Sequence, residues 1–323
     1  MLVSGLFVIA SAIGAATSPS EESCQDLNGR AVAYARSGAV AEAEELLSRL
    51  VAGATSQLPE TCLGSLLSNL AAVMQMSGRL ADGERLAERS IVILQGSLPP
   101  NDPALLRPLG ILTASRLELG KLAAAREAFQ RMQAIPIRDA ADRALICGLA
   151  GALLKAEGKL PEAEAEYRNG LQAYHQSGRA DSADAASVLN SLGELYQREK
   201  RFDEAIQALD RCLSILTVAP DALPMDRIKA LNDRAVVHVA QGHWDQAARD
   251  LSRAVSLLDD YVRCYNPAAV AELFYNYAAV LRKTRHSREA REFAAQSAAL
   301  HAQLPSVEVV DVSELLQHSD GKN

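Results

Sequence analysis

The sequence predicts an all-α fold: an α-solenoid of about seven helix-turn-helix units winding into a right-handed superhelix. Three observations carry that expectation. The first is self-similarity. Residues 185–257 hold two segments, ASVLNSLGELYQREKRFDEAIQALDRCLSIL and IKALNDRAVVHVAQGHWDQAARDLSRAVSLL, which superpose at an offset of 42 residues. Leu189 falls on Leu231, Asn190 on Asn232, Gly193 on Ala235, Phe202 on Trp244 and Leu209 on Leu251. A chain that repeats itself at such a period stacks equal units, each packing on its neighbours. The second is a ruler of short breaks at Gly38, Gly78, Gly120, Gly158, Lys200, Gly242 and Arg285, spaced 40, 42, 38, 42, 42 and 43 residues apart. Five of the seven begin with glycine, as suits a helix end that turns through a left-handed residue. The third is composition. Aromatic residues make up 4% of the 323 residues while alanine and leucine abound, which favours helices packed through small side chains over a β-sandwich.

The elements follow from the ruler. First helices are expected near residues 21–37, 60–77, 103–119, 139–157, 181–199, 223–241 and 267–284. Second helices are expected near 40–54, 80–95, 122–134, 160–177, 202–217, 244–260 and 287–303. Proline and aspartate cluster between repeats, in Pro99-Pro100-Asn101-Asp102-Pro103 and again from Pro220 to Pro224, where such residues stop one helix and start the next. The seventh repeat is degenerate, with Arg285 and Ser287 in place of glycine and an aromatic, as terminal repeats commonly are. The segments are thus an apolar N-terminal stretch (1–20), the superhelix (21–303) and a C-terminal tail (304–323). The tail, with Val307, Val309 and Val312 alternating, is read as a flexible end, with a strand or a groove-bound segment as the alternative.

Two positions stay small in every repeat. Five residues after each break stand Ala43, Gly83, Ala125, Ala163, Ala205, Ala247 and Ala290. Seven residues before it stand Ala31, Ala71, Thr113, Gly151, Gly193, Ala235 and Ala278. Paired helices nest closely only where the side chains at their crossing are small. Large apolar residues surround that contact: Leu27, Leu67, Leu109, Leu189, Leu231 and Phe274 on first helices, Leu47, Phe129, Tyr167, Leu209 and Leu251 on second helices. This pattern resembles the tetratricopeptide repeat (TPR) family, which sets small residues at its eighth and twentieth positions and large apolar ones at its fourth and twenty-fourth. The resemblance covers about residues 21–303. The 42-residue step exceeds the family's usual length of about 34. It looks like the longer subclass of kinesin light chains, with partial versions of that subclass's motifs at Leu189-Asn190-Ser191-Leu192-Gly193 and Leu67-Ser68-Asn69-Leu70-Ala71.

A net charge of −7, with no basic stripe, argues against nucleic acid, and no run of like charges suggests a membrane-surface patch. Residues 2–16 are apolar with small residues at their end, and have the length of a signal-peptide core rather than a stable membrane span. No Lys or Arg precedes Arg30, so a positive leading region is missing. Export to a periplasmic or extracellular space is the expectation, a bacterial source the reading, and a cytoplasmic location the alternative. Five cysteines without a C-x-x-C pair argue against a zinc site. Cys147 and Cys212 fall at core positions, where thiols act as small hydrophobes. In an exported protein Cys24 and Cys62, both near the start of a first helix in neighbouring repeats, are a candidate pair, although adjacent helix axes lie roughly 8–10 Å apart.

No catalytic or cofactor motif is present: no phosphate-binding G-x-x-x-x-G-K-[ST], no G-x-S-x-G, no H-E-x-x-H and no EF-hand loop. The chain is therefore read as a non-enzyme, without cofactor or metal. His238 and His243 straddle a helix end at a spacing unsuited to a shared metal. The resemblance implies that a protein or peptide partner lies in the concave groove lined by first helices. Carried onto this sequence, the lining residues include Asn28, Arg107, Lys155, Asn190, Glu194, Gln197, Lys229, Asn232, Tyr275 and Arg282. Asn190 and Asn232 suit an extended backbone because an amide donates and accepts together. Lys155, Lys229, Arg107 and Arg282 suit acidic groups on a partner. The two-Lys, two-Asn clamp that some family members use for a terminal carboxylate is incomplete. The rival expectation is a self-associating structural protein, such as a homodimer through its end faces, where Ala294, Ala295, Ala298 and Ala299 give the last helix a small apolar face.

Overall fold

The computed structural model describes residues 19–53, 58–258 and 266–303. Among the described residues lie fourteen α-helices and no strand, arranged as seven pairs. The first helices are α1 (Pro19–Arg36), α3 (Glu60–Met76), α5 (Leu106–Glu118), α7 (Ala140–Ala156), α9 (Ala183–Arg198), α11 (Pro224–Ala240) and α13 (Pro267–Lys283). Their partners are α2 (Val40–Gly53), α4 (Leu80–Ser97), α6 (Leu122–Gln133), α8 (Leu160–Gln176), α10 (Phe202–Val218), α12 (Trp244–Ser256) and α14 (Ser287–His301). The chain falls into two compact bodies. The N-terminal body takes the residues up to Val188 together with Ala219–Leu223, and the C-terminal body takes Leu189–Val218 and the residues from Pro224 onward.

All seven predicted breaks have positive φ, from 60° at Lys200 to 83° at Gly38. The residue after the break closes a Schellman-type turn onto the preceding helix: Arg79 N–H donates to Met74 O at 2.9 Å, Arg201 to Tyr196 O at 2.8 Å and His286 to Leu281 O at 2.9 Å. The glycine-free breaks at Lys200 and Arg285 thus adopt the same backbone as the glycine breaks.

The small positions are buried throughout, from Ala31 and Ala43 to Ala278 and Ala290. Their size is required. A methyl added at Gly151 would stand 2.6 Å from the Tyr167 ring, and one added at Gly193 would stand 2.6 Å from Leu209 Cγ. Leu47, Leu67, Tyr167, Leu209, Leu231, Leu251 and Phe274 are buried around these crossings. The last pair adds a ring cluster in which Phe293 lies 5.3 Å from Phe274 and 4.8 Å from Tyr277.

Local chemistry sets the ends. Asp102 accepts from Ala104 N–H at 2.8 Å and opens a single 3-10 turn, Pro103–Leu105, ahead of α5. Asp139 caps α7 through Ala141 and Asp142 N–H, both at 2.9 Å, and Asn266 caps α13 through Ala269 N–H at 3.2 Å. One boundary corrects the sequence reading: α12 stops at Ser256 rather than 260. Asp259 and Asp260 follow, and acidic residues oppose the negative C-terminal end of a helix.

Cys62 is buried and disulfide-bonded, while Cys147 and Cys212 are free thiols. Cys212 is fully buried as expected, whereas Cys147 is only half-buried. The side chain of Cys24, the expected partner of Cys62, lies outside the description, as do the apolar segment before Pro19 and the tail from residue 304. No described helix is long and apolar enough to cross a membrane.

Candidate functional site

First helices in each body are tied to one another by side-chain amides. In the N-terminal body Asn69 Nδ2 donates to Asn28 Oδ1 at 2.6 Å, joining α3 to α1. Gln75 Nε2 joins α3 to α5 through Ile111 O at 3.0 Å and Ser115 Oγ at 2.7 Å. In the C-terminal body Asn190 Nδ2 donates to Asp233 Oδ2 at 2.7 Å, joining α9 to α11. Asn276 Nδ2 donates to Asn232 Oδ1 at 2.9 Å, joining α13 to α11. Asn28, Asn190 and Asn232 each stand ten residues before a break, and Asn69, Asp233 and Asn276 each stand nine before the next one. The amide nitrogens donate across each rung, while Asn69, Asn190 and Asn276 Oδ1 and Gln75 Oε1 are buried without a hydrogen bond, so the same pattern recurs in both bodies.

The richest cluster sits on α9, α11 and α13. Asn190 Nδ2 also reaches Glu194 Oε1 at 3.1 Å, Lys229 Nζ pairs with Glu194 Oε1 at 2.8 Å, and Asn232 Nδ2 points at Glu272 Oε1 at 3.4 Å. Glu194, Asp233 and Glu272 thus gather near the Lys229 ammonium. Burial alone would lower the Lys229 pKa, but Glu194 and Asp233 outweigh it and hold the ammonium well above its usual range. Burial, with Glu194 alongside, pushes Asp233 up to about 6, against the pull of Lys229 and Asn190. Burial, with Asp233 and Glu194 nearby, pushes Glu272 up to about 7. The driving physics is desolvation of charge together with like-charge crowding.

The N-terminal body holds a second cluster of different make-up. Arg179 pairs with Asp184 at 2.5 Å. Burial and the adjacent Arg36 lower the Arg107 pKa to about 10, partly offset by Asp184. Burial raises Asp184 to about 7 despite Arg179.

Of the ten residues singled out from the sequence, the fold brings Asn190, Glu194, Lys229 and Asn232 into one cluster. Asn28 joins an amide rung, and Arg107 joins the basic cluster. Lys155, Gln197 and Tyr275 are half-buried on their first helices and Arg282 is exposed. Asn190 and Asn232 are only 5% and 6% exposed, so their amides are engaged by neighbouring helices rather than held out to solvent. Asp233 and Asn276 went unread because the positions carried over included the one ten residues before the break and skipped the one nine before it. The repeat phase itself contained that signal. Elsewhere, His238 is buried with Nε2 3.8 Å from Asp250, and Arg234 holds Asp250 at 2.6 Å and Asp210 at 2.6 Å. This network ties α11 to α12 and α10. Among the described residues no group of His, Cys, Asp and Glu is arranged to hold a metal ion.

Residues 142–217 match the tetratricopeptide repeat family model. No curated protein matches the chain. Among solved structures, BtubC (BKLC) from P. vanneervenii is similar at 19% identity and a TM-score of 0.53, over 72% of this chain and 94% of that one. The APC/C hetero-tetramer Cut9-Hcn1 is similar at 13% identity and a TM-score of 0.64, over 90% of this chain and 48% of that one, so this chain spans about half its length. A Rap protein complexed with Competence and Sporulation Factor is similar at 13% identity and a TM-score of 0.63, over 92% of this chain and 77% of that one. At these identities the likeness is one of fold. Paired helices with left-handed breaks and small residues at every crossing make the chain an α-solenoid, of which residues 142–217 match the tetratricopeptide repeat family model.

Proposed function

We propose that the chain is a non-catalytic scaffold that holds an extended peptide or a helix of a protein partner on the face lined by its first helices. The observation that carries this reading is the polar cluster of Asn190, Glu194, Lys229, Asn232, Asp233 and Glu272 on three successive first helices. A solenoid needs no buried charge to stack its repeats, and burying charge costs free energy. Two like-folded structures are, by their names, complexes with other factors, which supports the reading by analogy.

The test is capture from the host of the wild-type chain and of Asn190→Ala/Asn232→Ala/Lys229→Glu, after circular dichroism has shown equal helix content. A protein retained only by the wild type supports the groove. Identical captures from both would sink it and point to the alternative, self-association through α14, where Ala295, Ala298 and Ala299 are exposed. A mass that rises with protein concentration distinguishes that case.

We further infer export, from the apolar segment at residues 2–16 and from the disulfide at Cys62, since such bonds persist mainly in oxidising compartments. Alkylation of protein isolated from the host without reductant should leave Cys62 unmodified; an alkylated Cys62 would overturn the inference.

A further inference from the structure

We propose that residues 2–16 lie across the first helices of the N-terminal body, on a row of small residues carried by α3, α5 and α7. The chain covers its own first-helix face in this way for as long as that segment stays attached. The proposal goes beyond the groove reading above, whose cluster lies in the C-terminal body, and does not depend on it.

The row is Ser68 and Ala72 on α3, Gly110 and Ala114 on α5, and Gly148 and Ala152 on α7, which stand ten and six residues before their breaks. Residues four apart share one face of a helix. All six are buried, with Ser68 only 2% exposed and Ala72 and Ala114 only 1%. The fifth and sixth repeats fill the same places with Asn190, Glu194, Asn232 and Val236, and there Glu194 and Val236 are half-buried. Glycine is a poor helix former and is kept inside a helix where another stretch of chain comes close. Val188 does not demand it at 148, since a methyl added there would stand 3.6 Å from Val188 Cγ2, an ordinary contact. Small size is one signal, and an unmet polar group in the same row is a second. Ser68 Oγ is buried and makes no hydrogen bond. A helical serine commonly bonds the carbonyl four residues back. Here that carbonyl, Gly64 O, accepts from Ser90 Oγ at 2.7 Å instead.

Chemistry and chain length select residues 2–16 as the occupant. They carry no charge, and Leu6, Phe7, Val8 and Ile9 are costly to leave in water. Gly5, Ala10 and Gly14 set small residues against a small row, which lets the backbones approach. Ser4 and Ser11 bring hydroxyls able to meet Ser68 Oγ as donor or acceptor. As a helix the segment would measure about 22 Å, and three neighbouring first helices at roughly 8–10 Å spacing span a similar width. The segment leads into Pro19 at the start of α1, and α1 lies beside α3 through the Asn28–Asn69 rung. Cleavage at export would remove the cover and open the row to a partner, whereas a retained segment keeps it closed.

The test uses the purified full chain, with residues 1–18 confirmed present by intact mass. Ser68→Cys reports on the row, and Ser65→Cys, at an exposed position of the same helix, is the reference. Alkylation by iodoacetamide is followed at each site by peptide mass spectrometry, on variants whose circular dichroism matches the parent. Ser68→Cys should react at least about tenfold more slowly than Ser65→Cys, and adding Leu6→Asp/Ile9→Asp should abolish most of that difference. Slow reaction that survives the aspartates would mean that the helices close the row themselves. Fast reaction without them would mean that nothing covers it. Either result overturns the proposal, and so does protection that fades on dilution, which would make the cover a second copy of the chain. A photocrosslinker in place of Phe7, p-benzoylphenylalanine, tests the same contact without a new cysteine. Crosslinks within one chain to α3, α5 or α7 are expected; crosslinks between chains, or to other helices alone, contradict the proposal.

Discussion

In the N-terminal body all four breaks turn on glycine, at Gly38, Gly78, Gly120 and Gly158; in the C-terminal body two of three turn on Lys200 and Arg285, with φ of 60° and 66°. The backbone is the same and the residue is not. A left-handed conformation costs a non-glycine residue roughly 1 kcal/mol, so the C-terminal body tolerates strain that the N-terminal body avoids. The buried charges differ as well. The N-terminal cluster gathers Arg36, Arg107 and Arg179 around Asp184, whereas the C-terminal cluster gathers Glu194, Asp233 and Glu272 around Lys229. One repeat plan thus carries two buried charge clusters of different make-up. The fold constrains which positions are small and leaves the polar positions free to specialise.

The sharpest way to break this comparison is charge inversion. Lys229→Glu replaces the ammonium beside Glu194, Asp233 and Glu272 with a fourth carboxyl group and should cost the protein about 3 kcal/mol, measured by urea unfolding at pH 8. Arg107→Met, by contrast, removes a guanidinium that Arg36 already repels, and should cost less than about 1 kcal/mol. Equal losses would show that the two clusters are not energetically different.

A second comparison concerns the crossings. Gly151→Ala pushes a methyl into the Tyr167 ring, and Gly193→Ala pushes one into Leu209, a more adaptable neighbour. Overpacking costs about 1–3 kcal/mol, against about 1 kcal/mol gained in helix propensity. The expected net loss is about 2 kcal/mol for Gly151→Ala and about half of that for Gly193→Ala, read as shifts in thermal midpoint.

Titration sharpens the contrast further. An acid whose folded pKa is raised binds extra protons in the native state between its ordinary value, near 4, and the raised one. Its contribution is therefore favourable at the acid end of that window and is lost as pH rises through 6 to 7. Asp233→Asn/Glu272→Gln should raise stability at pH 8 by about 1–2 kcal/mol and change it little near pH 4. Asp184→Asn should do the same by a smaller amount, with one group in place of two. Denaturant midpoints across that pH range would show a flat difference if the carboxyl groups were unshifted.

The smallest effects belong to the breaks. Lys200→Gly should stabilise by about 0.5 kcal/mol, relief of the strained φ being partly offset by a freer unfolded chain. Gly158→Lys should destabilise by about 1 kcal/mol.

These differences mark where the sequence was easy to read. Helix positions followed from small residues and breaks because close packing admits no substitute for alanine or glycine at a crossing. Even Lys200 and Arg285 were found, since phase located them where residue type did not. The end of α12 was missed because it depends on local capping rather than on period. At the candidate site, Asn190, Glu194, Lys229 and Asn232 were legible as repeat positions on one face. Their mutual contacts were not, nor was the part played by Asp233 and Asn276. Those depend on how one first helix is offset against the next, a tertiary quantity that a repeat period does not contain.

The amide rungs have a consequence for how such a chain can change length. Each of the three asparagine rungs joins a residue ten before one break to a residue nine before the next. An insertion or deletion between a rung residue and its break would rotate the amide away from its partner, so that stretch should resist indels. Second helices bear no such mark and already range from 12 residues in α6 to 18 in α4. A tag or a fused domain is therefore best placed after a second helix, for example in the Pro99-Pro100-Asn101 link, where added chain leaves every rung in register.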